Sequence, residues 1–133
     1  MKPIVLAISL MALVGCIETE IPSGAGYLIV DNQTNEQISV IYKLVYFNTD
    51  TIKVCVLPQT KDTIYSEAGM GVIFTLGQLK VFEIAKCDNP THVLYKQEPI
   101  NESVWIVDEK RTSKGYLYLC NNTFVVTDTL LKQ

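Results

Sequence analysis

Few side chains in this 133-residue chain could start a reaction. Its nucleophiles of note are four cysteines, at positions 16, 55, 87 and 120, and His92 is its single imidazole. A catalytic histidine needs a nucleophile and an orienting acid within hydrogen-bond reach. No G-x-S-x-G or comparable frame surrounds His92, which reads as a solvent-facing residue at the start of a strand. Glu67 and Glu83 could be imagined as a glycosidase pair, yet nothing in their spacing sets them against each other, and isolated glutamates on strands usually mark the solvent face. The segments "GAG" and "GMG" are too short for a phosphate loop and lack the helix that should follow. One histidine without a C-x-x-C pair argues against zinc. The sequence therefore offers no catalytic residue, no metal ligand set and no cofactor site.

Position, not company, singles out Cys16. No charge lies between Lys2 and Glu18, and the run from Pro3 to Val14 is apolar except for Ser9. That run is shorter than the roughly 20 residues a bilayer core demands. A charged start, a short apolar stretch and a small-residue end describe a secretory signal peptide. Its end, Leu13-Val14-Gly15-Cys16, resembles the lipobox of bacterial lipoproteins. The resemblance implies that the Cys16 thiol receives a diacylglyceryl group, that residues 1–15 are removed, and that the chain is held to a membrane by its first residue. Glu18 and Glu20 in "CIETE" resemble, in a sparser form, the surface-export signals of Bacteroidota lipoproteins, and read equally well as part of a polar tether. The Pro- and Gly-containing stretch "EIPSGAG" lacks periodicity, so residues 16–26 are expected to be lipidated cysteine and tether, and 27–133 a single domain.

Composition fits that division. The 118 residues from Cys16 onward are enough for one domain. They carry ten basic and fourteen acidic side chains, and Arg111 is the single arginine. Clustered Lys and Arg, the footprint of nucleic-acid binding, are missing. With Cys16 assigned to lipid, three cysteines are left, an odd number. Export permits a disulfide. Cys87 with Cys120, or Cys55 with Cys120, are the candidate pairs, and buried free thiols acting as small hydrophobes are the favoured reading.

From residue 27 onward the pattern is that of strands. In "ISVIYKLVYF" (38–47), Ile38, Val40, Tyr42, Leu44 and Tyr46 share one face, with Ser39 and Lys43 on the other. In 51–57, Ile52, Val54 and Val56 share a face, and Pro58 ends the run. Further strands are predicted at 27–32, 62–67, 72–76, 78–85, 92–96, 103–109, 115–120 and 123–131. Over 78–85 a helical stripe also fits, but Val81, Phe82 and Ile84 favour a strand. Many short strands without a long helix predict an all-β fold, a β-sandwich of Ig-like or jelly-roll type.

The lipobox, "VDNQTNEQISVIY", "VLPQTKDTI", "KVFEIAK", "SVWIVDE" and "GYLYLCNNTF" together resemble small, uncharacterised Bacteroidota lipoproteins. That group implies a cell-envelope or outer-membrane location, periplasmic or surface-facing, and a sandwich fold. It implies no activity. Asp-Thr followed by an aliphatic residue, at 50–52, 62–64 and 128–130, resembles the Bacteroidota O-glycosylation sequon, with Thr51, Thr63 and Thr129 as acceptors. Ordinary turn-then-strand punctuation would give the same triplets. "NQT", "NES" and "NNT" match the N-glycan pattern but are read as idle. Tyr95, Trp105, Tyr116 and Tyr118 could form a stacking platform if Leu117 and Leu119 turn to the core, although core packing explains these aromatics equally well. The expected function is a lipid-anchored binding or structural lipoprotein that is not an enzyme, with an envelope protein as partner. The alternative is a glycan-binding module of a polysaccharide-uptake system.

Overall fold

The computed structural model describes residues 21–46 and 50–132. Cys16, Glu18, Glu20 and the whole leader lie outside those residues. The described chain is an all-β sandwich, as the strand pattern predicts. Its strands are β1 (Ser23–Asn32), β2 (Ile38–Leu44), β3 (Ile52–Val56), β4 (Thr60–Met70), β5 (Leu79–Lys86), β6 (Asn89–Gln97), β7 (Ile106–Arg111) and β8 (Leu117–Val126). One short helix, α1 (Asp128–Leu131), follows. One sheet has the order β4-β1-β8-β7 and the other β3-β2-β5-β6. β1 and β8 run parallel, and all other neighbours are antiparallel.

Period-two patterning decides which side chains the sheets bury between them. Ile38, Val40, Tyr42 and Leu44 of β2 meet Leu28 and Val30 of β1, Phe82 and Ile84 of β5, and Phe124 and Val126 of β8. The face predicted for β2 ends at Leu44, because the strand stops there and Tyr46 projects into solvent. Phe82, Trp105 and Phe124 form the aromatic centre, with ring centroids 4.9 Å apart in each pair. Each ring prefers such edge or tilted approaches over face-to-face stacking. The Trp105 indole N–H donates to Gln97 Oε1 at 3.1 Å, and Gln97 Nε2 donates to the Tyr95 hydroxyl at 2.7 Å. A tryptophan can be this deeply buried because its one donor is satisfied. Among the described residues, no buried side-chain nitrogen or oxygen lacks a partner.

Several boundaries differ from the sequence reading. The strand predicted at 103–109 is a 3-10 turn at Glu102–Val104 followed by β7, β4 is longer than the predicted 62–67, and four further differences have a local reason. β1 begins at Ser23 rather than 27, since Ser23–Gly26 pair with Glu67–Met70 of β4. The stretch expected to be tether through Gly26 is therefore strand from Ser23 onward. Residues 72–76 form no strand. They cross the end of the sandwich, with Phe74 fully buried and its backbone so close to Gly26 that a Cβ there would overlap it. The strands predicted at 115–120 and 123–131 are one continuous β8, because Asn122 turns inward and donates to the Tyr27 carbonyl at 3.1 Å. Beyond Val126 the chain turns helical, with the Thr127 hydroxyl capping α1 by accepting from Leu130 N.

The far end of the sandwich is closed by a polar knot on Asn32. This side chain is fully buried at the last residue of β1. Its Nδ2 donates to the carbonyls of Glu36 (2.9 Å), Val56 (3.3 Å) and Leu57 (3.0 Å), and its Oδ1 accepts from Thr34 N (3.1 Å) and Thr34 Oγ1 (2.7 Å). One amide thus holds the 33–37 loop to the 57–60 turn. Gln59, in the left-handed region at φ 56°, completes the tie by donating to the carbonyls of Gln33 and Thr34. Replacing Asn32 by Ala leaves three buried or half-buried carbonyls without that donor. We expect a loss of about 2–4 kcal/mol in urea unfolding. A loss well under 1 kcal/mol would show that the knot is not structural.

Candidate functional site

Two features carry chemical content: the cysteines, and the end of the sandwich where β1 begins. Cys55 on β3 and Cys87 in the β5–β6 turn form a disulfide, with Cα atoms 6.0 Å apart. This pairing corrects the sequence reading, which favours free thiols and pairs Cys120 with one of the other two. β2 lies between β3 and β5, so the residues look remote along the sheet. Ile38 of β2 nevertheless pairs with Val56 on one side and Lys86 on the other. The turn after Lys86 therefore brings Cys87 over β2 to Cys55. The bond closes a separation of 32 residues, for which the chain-entropy account gives about 3–4 kcal/mol.

Among the described residues Cys120 is the free thiol, on the inner face of β8. Its Sγ donates to Asn122 Oδ1 at 3.5 Å, and burial pushes its pKa up, so the thiol stays protonated and unreactive at neutral pH. It borders a recess of about 310 Å³ between β7, β8 and the 3-10 turn Leu76–Gln78, where Glu109 and Arg111 pair at 3.1 Å. A register shift opposite Lys110 and Arg111 breaks the alternation of β8. Leu117 consequently lines the same recess as Cys120, and Tyr118 is exposed although regular alternation would put it on the inward face with Cys120.

The four aromatics considered as a platform do not share a surface. Trp105 is 6 % exposed and belongs to the core, and Tyr95 is half-buried against Phe124. Tyr116 and Tyr118 alone are open to solvent, at the β7–β8 hairpin. Glu67 and Glu83 lie on different sheets, and Glu83 pairs with Lys96 at 3.2 Å. Lys96 also reaches Glu98 at 3.0 Å, and the two hydrogen bonds hold its pKa up. His92 is exposed on β6. Among the described residues no group of His, Cys, Asp and Glu could hold a metal ion, and no helix is long and apolar enough to cross a membrane.

The modification motifs divide cleanly. Thr51 precedes β3, Thr63 lies on the edge strand β4, and Thr129 is in α1; all three are exposed. Asn32 of "NQT" is sealed in the knot, and Asn101 of "NES" caps a 3-10 turn through Ser103. The first of these motifs is therefore spent on structure.

The end of the sandwich where β1 begins holds a recess that sequence reasoning missed. Leu44, Tyr46, Tyr65, Glu67, Val72 and Gln78 line about 350 Å³ of mainly apolar space. It forms because β2 stops at Leu44, where Val45 N donates to Gln78 O at 2.8 Å, while residues 71–78 fold across the opening. Tyr42 and Tyr65 meet edge to face beneath it, and the Tyr42 hydroxyl donates to Ile64 O at 3.1 Å. Burial, reinforced by the neighbouring Tyr65, raises the Tyr42 pKa; burial and then Glu67 raise that of Tyr65. Both hydroxyls thus stay neutral well into the alkaline range. Only long-range placement could have revealed this recess, since its lining comes from β2, β4 and the 71–78 crossing.

The chain matches no family model, no curated protein and no solved structure at a significant level. For the thiols, we expect Cys120 to resist N-ethylmaleimide in the native protein and to react after denaturation without reductant, while Cys55 and Cys87 react only once reduced. Peptide mapping reads this directly. Labelling of Cys55 or Cys87 before reduction would contradict the disulfide.

Proposed function

We propose that this chain is a lipid-anchored envelope lipoprotein whose β-sandwich acts as a binding or structural module rather than as an enzyme. The Cys16 thiolate attacks the glyceryl carbon of a phospholipid donor and forms a thioether as the phosphoglycerol headgroup departs. Cleavage before Cys16 then leaves the acylated cysteine as the first residue. Each buried methylene of the acyl chains contributes about 0.8 kcal/mol, so two or three chains hold the domain stably. The observation that carries the reading is Leu13-Val14-Gly15-Cys16 at the end of a short apolar run. The Cys55–Cys87 disulfide supports it, because such bonds persist in the oxidising compartments that exported domains enter. The dispersal of His92, Glu67 and Glu83 supports a module without catalysis. The glycan-binding alternative now leans on two exposed side chains, Tyr116 and Tyr118, which is a narrow platform for stacking.

Metabolic labelling with a fatty acid tests the anchor. We expect label on the native chain and none on Cys16→Ser. A labelled Cys16→Ser chain, or an unlabelled native one, would overturn the reading. Surface exposure also makes Thr51, Thr63 and Thr129 acceptable O-glycan carriers in such a cell. We expect Thr51→Ala, Thr63→Ala and Thr129→Ala together to remove hexose-scale mass from the mature protein. An unchanged difference between observed and polypeptide mass would exclude glycosylation at these residues.

A further inference from the structure

We propose that the end of the sandwich nearest Cys16 seats its apolar rim in the lipid surface to which the acylated cysteine is anchored; this rests on the lipid-anchor reading above. Five large apolar side chains are unusually open at this end: Tyr46 (77 % exposed), Met70 (73 %), Val72 (57 %), Val45 (51 %) and Ile21 (48 %). Three observations bring them to one region. A Cβ on Gly71, between Met70 and Val72, would lie 3.0 Å from Ile21 Cγ2. Val72 and Tyr46 line the same recess, and Val45 is bonded to Gln78 of that recess. The opposite end is tied by the Asn32 knot, and of the side chains in that knot's turn Leu57 is exposed (59 %). Exposed apolar surface concentrated in one patch marks an interaction site, whereas scattered side chains need no explanation.

The occupant follows from where the chain enters. Ile21 is both part of the patch and five residues from Cys16. A fully extended chain covers at most about 3.6 Å per residue, so Ile21 is held within about 18 Å of the acylated residue. A surface tethered that close meets the bilayer at high effective concentration, so a weak apolar contact suffices. Tyr46 suits the headgroup level, where an aromatic ring has one apolar and one wet side. Charge is not the attraction. Glu67 borders the recess, and the chain after Cys16 is acidic. The contact is an apolar one that adds a second membrane signal to the acyl chains.

The test uses the acylated protein, purified from membranes and reconstituted in phosphatidylethanolamine–phosphatidylglycerol vesicles with dibrominated acyl chains. Two single substitutions place a fluorophore at exposed sites, Tyr46→Trp at the anchor end and Leu57→Trp at the other end, separated by the length of β4, about 33 Å. The parent chain, with its one tryptophan buried in the core, is the reference. We expect the added emission of Tyr46→Trp to fall roughly twofold in brominated vesicles, since an interfacial apolar surface reaches about 5–10 Å into the headgroup boundary. Leu57→Trp should be unchanged. Equal quenching of both variants, or of neither, in a chain shown by mass to be acylated overturns the seating alone. Neither quenched, with the solubilised protein sedimenting as a dimer, reassigns the patch to a second copy. A chain without acyl mass overturns the anchor reading and the seating with it.

Discussion

The buried amide of Asn32 is the interaction on which the sandwich depends. Two sheets of short strands can pack in several registers, because β-branched side chains on alternating faces are nearly interchangeable. Hydrophobic burial drives them together without choosing. A buried amide does choose, since each of its hydrogen bonds demands a particular partner and an unmade one is costly. Asn32 ends β1, starts the loop into β2 and binds the carbonyls that end β3. Its demands fix how the first sheet lies on the second. Gln97 plays a similar part on the other side, holding Trp105 and Tyr95 in one arrangement around Phe124.

Fixing one end leaves the other free to differ. At the far end, the knot and the Cys55–Cys87 disulfide bind loops together. At the near end, β2 stops early, residues 71–78 cross the opening, and glycines at 24 and 26 permit close backbone approach. The result is a molecule with one end tied by buried polar bonds and a more open, apolar recess at the other. Ile21, where the described residues start, lies at the end with the recess.

The strands were legible in the sequence wherever a regular alternation met one buried face. Ile38, Val40, Tyr42 and Leu44 show this, as do Ile52, Val54 and Val56. Legibility failed where backbone geometry or distant partners decide. Residues 72–76 read as a strand because Val72, Ile73 and Phe74 are apolar, yet the segment buries Phe74 by crossing over Gly26 instead of pairing. Tyr116 and Tyr118 are open to solvent, but Tyr118 is there through the register shift beside Arg111 and not because the leucines face the core. Cys87 meets Cys55 because a turn folds over an intervening strand, which no spacing rule anticipates. The N-x-T motif is visible as letters, while its role as a knot requires the carbonyls of residues 24 and 25 positions away. The proposed lipobox is the opposite case: its reading rests on local sequence alone.

The lipid anchor stands or falls with the fate of Cys16, and the intact mass of the protein extracted from its native membranes addresses that most directly. A chain beginning at Cys16, carrying acyl mass and lacking the two thiol hydrogens of Cys55 and Cys87, is the predicted result. A chain that retains Met1, or that begins elsewhere without acyl mass, would contradict the lipid anchor.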